Sequence, residues 1–305
     1  MPEVYRQGLE LIRAIQRVEG PALTLIMTFL TNTVYIYTPI ILFLLWCGDE
    51  KKGFHLGLMM MFSAWLNGFC KELLKQPRPY HLDPSVGRGV EATFGLPSGH
   101  AQLSLTFWMI LACWLGRRFP RGRVGWFGGA ILISLSVGFS RVYLGLHFFT
   151  DIIAGWLLGG LITAGYFLSK DRLEAFFRWG GTRVQLICGA VIPWAMNAAG
   201  GDRRVGGLCL GFSLGFSLML KYFPFSAGGT INGGKPGFLR LAGRYALGII
   251  GGFIILNLTP LNKSAPFYEL IRFICWGAAG LWASAGCPLL FLRLNLAENR
   301  KDRGR

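Results

Sequence analysis

Two histidines, an aspartate, a lysine and two arginines stand at the ends of apolar segments in the first half of this chain. Together they are the side chains that phosphate-ester chemistry uses. Lys71 and Arg78 belong to Lys71-Glu72-Leu73-Leu74-Lys75-Gln76-Pro77-Arg78-Pro79, and His100 closes Pro97-Ser98-Gly99-His100. Arg141 follows Ser140, His147 comes after five further residues, and Asp151 after three more. Arg78 and Arg141 offer forked donors to phosphoryl oxygens, and Lys71 adds a point charge. One histidine could attack phosphorus while the other supplies a proton. His147 and Asp151 are four apart, so on a helix they share a face, where the carboxylate could fix the imidazole tautomer. Ser98 and Gly99 before a helix would leave free backbone N–H groups, a natural phosphate seat. Each residue has a plainer reading: Lys71 as a snorkelling helix-end lysine, His147 as an interfacial histidine, Ser98-Gly99 as a helix start. Six ionisable groups beside a bilayer, each costly unless it has a partner or a task, favour a shared site.

Long helices must bring these groups together. The chain is 52% hydrophobic and 15% charged over 305 residues. Apolar runs of about twenty residues, the length that spans roughly 30 Å of hydrocarbon, recur along it. The sequence predicts an all-α, polytopic membrane protein with about nine spans, near 22–47, 54–74, 98–116, 124–141, 148–168, 184–200, 205–220, 241–258 and 267–292. If the second span starts at Phe54, Lys71 lies roughly 26 Å along it at about 1.5 Å per residue, at its far end. Pro77 and Pro79 end that helix. His100 then opens the third span, Arg141 closes the fourth, and His147 and Asp151 open the fifth. All six groups fall in one layer on one side of the membrane.

Charge fixes which side that is. The net charge of +16 raises the question of nucleic acid, but Lys and Arg sit between spans, not on one soluble face, so no nucleic-acid partner is expected. Of 31 basic residues, nineteen fall on one side, among them Arg117, Arg118, Arg121, Arg123, Lys235, Arg300, Lys301, Arg303 and Arg305. The remaining twelve include several of the candidate site. The positive-inside rule makes the nineteen cytoplasmic, with the site and the amino terminus outside and the carboxyl terminus inside. Met1-Pro2-Glu3 carries no basic leader and does not read as a signal peptide. Seven cysteines, scattered through the spans, read as small packing residues and form neither a disulfide framework nor a zinc site. No carboxylate cluster suited to magnesium is evident, so no metal or cofactor is expected.

The three stretches resemble the tripartite signature of the type-2 phosphatidic acid phosphatase superfamily: K-x6-R-P, then P-S-G-H, then S-R-x5-H-x3-D. Every position matches, with 17 residues between the first two parts and 39 between the last two. The resemblance covers about residues 54–168. It implies a phosphatase helix-bundle core and metal-independent hydrolysis through a phosphohistidine. Carried over by position, His147 would be the nucleophile, Asp151 its orienting partner and His100 the general acid. Lys71, Arg78, Ser98, Gly99 and Arg141 would hold the phosphoryl group.

This divides the chain into an amphipathic helix at the interface (1–21), a five-span core with the signature (22–168), a four-span region (184–292) and a basic cytoplasmic tail (293–305). Leu9, Ile12, Ile15 and Val18 form the apolar face of the first helix. A polar connector, 169–183, separates the two span-bearing parts, and 224–238 reads as a flexible loop. Gly207, Gly211 and Gly215, at four-residue spacing, read as a close helix contact. Lys75 and Arg88 are candidates for headgroup contacts, and Tyr80 and Phe94 suit interfacial aromatics. A site at the membrane surface suits a lipid carrying phosphate or diphosphate: phosphatidate, phosphatidylglycerol phosphate, undecaprenyl diphosphate or a sphingoid-base phosphate. The competing readings are a phosphatase of a soluble sugar phosphate and a non-enzymatic lipid transporter. Oligomeric state is not legible in the sequence.

Overall fold

The computed structural model describes residues 2–229, 236–260, 262 and 264–299. Outside them lie the centre of the expected 224–238 loop, with Lys235, and the tail residues Arg300, Lys301, Arg303 and Arg305. In chain order the long helices are α1 (Glu3–Gln16), α2 (Pro21–Gly48), α3 (Glu50–Leu74), α4 (Gly99–Arg118), α5 (Arg123–Tyr143), α6 (Phe149–Ala199), α7 (Arg203–Tyr222), α8 (Phe238–Leu256) and α9 (Tyr268–Arg293). Among the described residues no strand forms; the one β pairing is an isolated bridge between Phe225 and Asn299. All nine expected spans lie on helices. Six runs combine the length and apolarity to cross a membrane: α2, α6, α7, α8, α9 and the stretch Pro120–Tyr143 that contains α5. α3 and α4 are long enough but carry more polar residues, and several of those face inward.

The expected connector, 169–183, is largely helical. The helical run α6 carries two of the expected spans, but it is two helices joined across a break at Gly181, where φ is 58°. The stretch from Lys170 to Arg178 alternates charged residues with Leu173, Phe176 and Phe177 and has no Gly or Pro, so it propagates a helix despite its polarity.

The chain forms two compact units, Met1–Tyr37 with Phe62–Leu168, and Thr38–Met61 with Ser169–Arg305. In the first, α1 turns its apolar face to protein: Leu9 and Ile12 are buried with Val86, Ala101, Val142, Phe148 and Ile152. Val18, expected on that face, lies beyond the helix and is exposed. The Gln16 side chain donates to the carbonyls of Val86 and Tyr143, both at 2.8 Å. Glycines let α6 approach α4: a Cβ at Gly155 would lie 2.6 Å from Ser98 O, and one at Gly159 would lie 2.7 Å from Gln102 O. Gln102 also donates to Ser63 O at 2.8 Å and accepts from Asn67 at 2.9 Å, tying α4 to α3 by buried polar contacts.

In the second unit, the glycine stripe packs as its spacing predicts. A Cβ at Gly207 would lie 2.4 Å from Phe273 O, one at Gly211 1.8 Å from Gly277 O, and one at Gly215 2.2 Å from Ser284 Oγ. α7 and α9 therefore touch backbone to backbone. Arg244 is fully buried and donates to the carbonyls of Leu296, Ala227 and Trp46.

The α4–α6 contact generates a prediction from two adjacent glycines. Gly159→Ala must push apart two backbones and should destabilise by about 1–3 kcal/mol. Gly160 faces open space, its nearest neighbour Leu105 Cδ2 at 4.0 Å, so Gly160→Ala should stabilise by up to about 1 kcal/mol through helix propensity. Thermal unfolding of the two variants in detergent checks the opposite signs.

Candidate active site

Four elements of the first unit deliver the six signature side chains to one pocket. α3 ends at Leu74, one turn after Lys71, and the chain leaves through Pro77. Arg78 precedes a single helical turn, Pro79–Leu82, and is fully buried. α4 begins at Gly99 with Ser98 in extended geometry before it, so Gly99 and His100 occupy its first turn. A Cβ at Gly99 would lie 3.0 Å from Asn67 Oδ1, which explains a glycine there by close approach of α3. α5 carries Arg141 in its last turn, and a turn through Gly145 places His147 just before α6. Gly145 has φ 66°, and a Cβ there would lie 1.9 Å from Val86 O, so this turn requires glycine.

His147 is buried, and its two ring nitrogens have different partners. Nδ1 is 3.1 Å from Asp151 Oδ2, and Nε2 is 3.1 Å from Arg78 Nη1. A guanidinium has no lone pair to offer, so Arg78 must be the donor and Nε2 the acceptor. That assigns the proton to Nδ1, where it is donated to Asp151, and leaves the Nε2 lone pair facing the cations. Asp151 Oδ2 is held in turn by the backbone N–H of Phe148, which donates at 3.0 Å. Burial first, and then the charges of Arg78, Arg141 and Lys71, push the imidazole well below its ordinary value, so it is neutral at pH 7.

The cations are held chiefly by residues that the sequence reading passed over. Arg78 Nε donates to Thr93 O at 2.6 Å, Nη2 to Thr93 Oγ1 at 3.0 Å and Nη1 to Leu146 O at 2.9 Å. Lys71 donates to the carbonyl of Phe94 and lies 3.4 Å from that of Gly95. Arg141 Nη1 donates to Thr31 Oγ1 of α2 at 2.8 Å. Glu91 bridges the two arginines: one carboxylate oxygen is 2.6 Å from Arg78 Nη2, and the other accepts from Arg141 Nη2. Burial raises the Glu91 carboxyl, but Arg141 and Arg78 outweigh it and hold it below the usual range. Glu91 and Thr93 belong to no signature; their only sequence signal is a carboxylate and a hydroxyl in the loop between two basic stretches.

Two polar atoms of the candidate phosphate set have donors to spare: among the described residues, buried Ser98 Oγ and Arg141 Nε lack hydrogen-bond partners. The backbone N–H of Ser98 donates to Asp151 O at 2.9 Å. His100 lies within electrostatic range of Arg141, Glu91, Lys71, Arg78 and His147. The sequence-predicted residues thus fall in one cluster. The secondary candidates fall elsewhere: Arg88 pairs with Glu19 at 2.8 Å, and Lys75 is exposed. Tyr80 is buried, and its hydroxyl donates to Glu91 O at 2.9 Å and accepts from Glu91 N at 3.0 Å.

Two stretches of the chain resemble known proteins. Residues 52–174 match the PAP2 superfamily, and residues 204–299 match the transmembrane extension of PAP2 superfamily phosphatases. Lipid phosphate phosphatase delta of Arabidopsis thaliana is 28% identical over 57% of this chain and 46% of its own length. Phosphatidylglycerophosphatase B of Bacillus subtilis is 34% identical over 40% of this chain and 61% of its own. The chain therefore spans less than two thirds of the length of either relative. The crystal structure of a transmembrane PAP2-type phosphatidylglycerolphosphate phosphatase from Bacillus subtilis aligns with a TM-score of 0.50 at 26% identity, covering 57% of this chain and 88% of that one. The two family models match in chain order: residues 52–174 carry a PAP2 superfamily domain, and residues 204–299 carry the transmembrane extension of PAP2 superfamily phosphatases.

Proposed function

We propose that this chain hydrolyses the terminal phosphate of a membrane lipid phosphate or diphosphate, without a metal, through a phosphohistidine at His147. The observation that carries this reading is the tautomer of His147: its Nδ1 donates to Asp151, and its Nε2 carries the lone pair, which faces the Arg78 guanidinium. Nε2 attacks phosphorus while the bond from phosphorus to the lipid oxygen breaks, and His100 gives its proton to that oxygen. Asp151 supports the positive charge that develops on the ring. Water then attacks the phosphohistidine, losing a proton to His100, and the N–P bond breaks to release phosphate. Lys71, Arg78 and Arg141 stabilise charge on the transferring group, while Ser98 Oγ and Arg141 Nε gain the partners they lack.

The lipid reading draws on three supports. Relatives are named for lipid phosphate and for phosphatidylglycerophosphate, the helical runs that carry Arg141 and Asp151 are long and apolar enough to cross a membrane, and the candidate residues cluster at helix ends. A non-enzymatic lipid transporter needs cations but not an ordered His–Asp pair. A soluble sugar phosphate would need no apolar surroundings.

His147→Ala and His100→Ala should each remove turnover while leaving a monodisperse protein. Loss of general acid catalysis costs about 10²- to 10⁴-fold, and loss of the nucleophile more. Phosphate release by the purified protein and both variants, across a panel of lipid phosphates, lipid diphosphates and glucose-6-phosphate, checks the mechanism and ranks the substrates. Near-normal turnover by the His147 variant would sink the assignment.

The same cationic pocket should make activity insensitive to EDTA and sensitive to vanadate, which mimics pentacoordinate phosphorus. Complete loss on chelation, restored by magnesium, would refute metal independence.

We also propose that the pocket opens on the extracytoplasmic side of a cell membrane, with the amino terminus outside and the carboxyl terminus inside. The support is the distribution of basic residues. Ser85 and Gly122 are both exposed, in loops at opposite ends of the α4 segment. In a background lacking native cysteines, Ser85→Cys should react with an impermeant thiol reagent in intact cells, and Gly122→Cys only after the cells are opened. Reversed labelling would turn the site to the cytoplasm.

A further inference from the structure

The Glu91 carboxylate stands between the two arginines to which the proposed function gives the phosphoryl group. Among the described residues it is the acidic side chain paired with both Arg78 and Arg141, one oxygen to each. Neither guanidinium needs it for position. Arg78 is already fixed by Thr93 and Leu146, and Arg141 by Thr31. The Glu91 backbone is held separately, by the Tyr80 hydroxyl acting as donor and acceptor. The side chain is partly exposed, 27%, against 0% and 3% for the arginines it bridges, so it has room to leave. These contacts describe an anchored loop carrying a displaceable anion.

We infer that Glu91 is a specificity-determining residue: its carboxylate is a built-in competitor that an incoming phosphate must displace, and this admits dianionic terminal phosphoryl groups while rejecting monoanions such as phosphodiesters. The inference rests on the phosphate-binding reading above and adds the rule for what may enter. Specificity is a difference of affinities and is sharpened by an element that opposes the wrong ligand. A monoanion offers the two arginines no more charge than Glu91 already does, and Glu91 is tethered, so it competes at a high effective concentration. A dianionic phosphoryl group brings a second charge and a third oxygen. It can reach Ser98 Oγ and Arg141 Nε, which lack partners, and adds attraction to Lys71. After turnover the returning carboxylate would compete with inorganic phosphate for the same arginines and favour its release.

The test is binding of inorganic phosphate and of dimethyl phosphate to the purified, detergent-solubilised full chain, by calorimetry near pH 8, where inorganic phosphate is mainly dianionic. The proteins are the unmodified chain and Glu91→Gln, which keeps the side-chain size. If the pocket is closed nine-tenths of the time, removing the competitor tightens phosphate binding by about tenfold. Dimethyl phosphate should gain by the same factor, because it must displace the same carboxylate, and should rise from undetectable to measurable. Glu91→Asp, too short to bridge both arginines, should fall between the two. Unchanged or weaker phosphate binding in Glu91→Gln, with the variant folded by its thermal transition, would overturn the inference. So would tighter phosphate binding with dimethyl phosphate still excluded, because the barrier would then not be Glu91. This readout is independent of turnover. If His147→Ala proved fully active while Glu91→Gln bound phosphate more tightly, the histidine mechanism would fall and the competitor would stand.

Discussion

Three cations withdrawn from water into an apolar helix bundle set the terms for the first unit. Lys71, Arg78 and Arg141 are all buried. Charges in such a place persist only when paired and hydrogen-bonded. The loop between α3 and α4 supplies the compensation: carbonyls of Thr93, Phe94 and Gly95, the Thr93 hydroxyl, and the Glu91 carboxylate. The position of that loop therefore depends on the cations as much as theirs depends on it. The turn through Gly145, which brings Leu146 O to Arg78 and His147 to the same guanidinium, belongs to the same arrangement.

Arg244 in the second unit shows what a buried arginine looks like when structure is its whole task. Among the described residues it has no carboxylate partner; Nε and both terminal nitrogens are taken by the carbonyls of Leu296, Ala227 and Trp46. Its donors are spent on the ends of neighbouring backbone segments, as a cap would spend them. Arg141 differs in kind, with Nε unpartnered and one terminal nitrogen on a displaceable carboxylate. Burial alone does not distinguish the two residues. The unused donor does.

Much of this was legible before any coordinates. The six ionisable residues could be gathered because helix length alone puts Lys71, His100, Arg141 and His147 in one layer, and the four-residue spacing of His147 and Asp151 gave their pairing. Glycine spacing on α7 likewise announced a backbone contact. What stayed hidden shares a physical cause. Glu91 and Thr93 act from a loop, where no periodicity links a residue to its partner, and Thr31 acts from a helix with no motif of its own. Asn67 and Gln102 belong to no motif, because their partners lie on the facing helix. Residues 169–183 are polar enough to read as a connector, and they do hold the break at Gly181, but their residue types favour helix up to it. The first helix was expected at the interface; its amphipathic pattern does not say whether lipid or protein covers the apolar face.

The place of α1 has a consequence for the order in which the molecule can assemble. Its apolar face is completed by Val142, Phe148 and Ile152, and Gln16 reaches carbonyls 70 and 127 residues further along the chain. Synthesis makes amino-terminal segments first. α1 is made before those partners, so its apolar face stays incomplete until α5 and the start of α6 have followed. Closing so long a loop costs only modestly more entropy than closing a short one, because the cost grows with the logarithm of length. The delay is consequently one of timing more than of stability. A helix made before α5 and α6 thus finishes its packing only when the turn carrying His147 has been made.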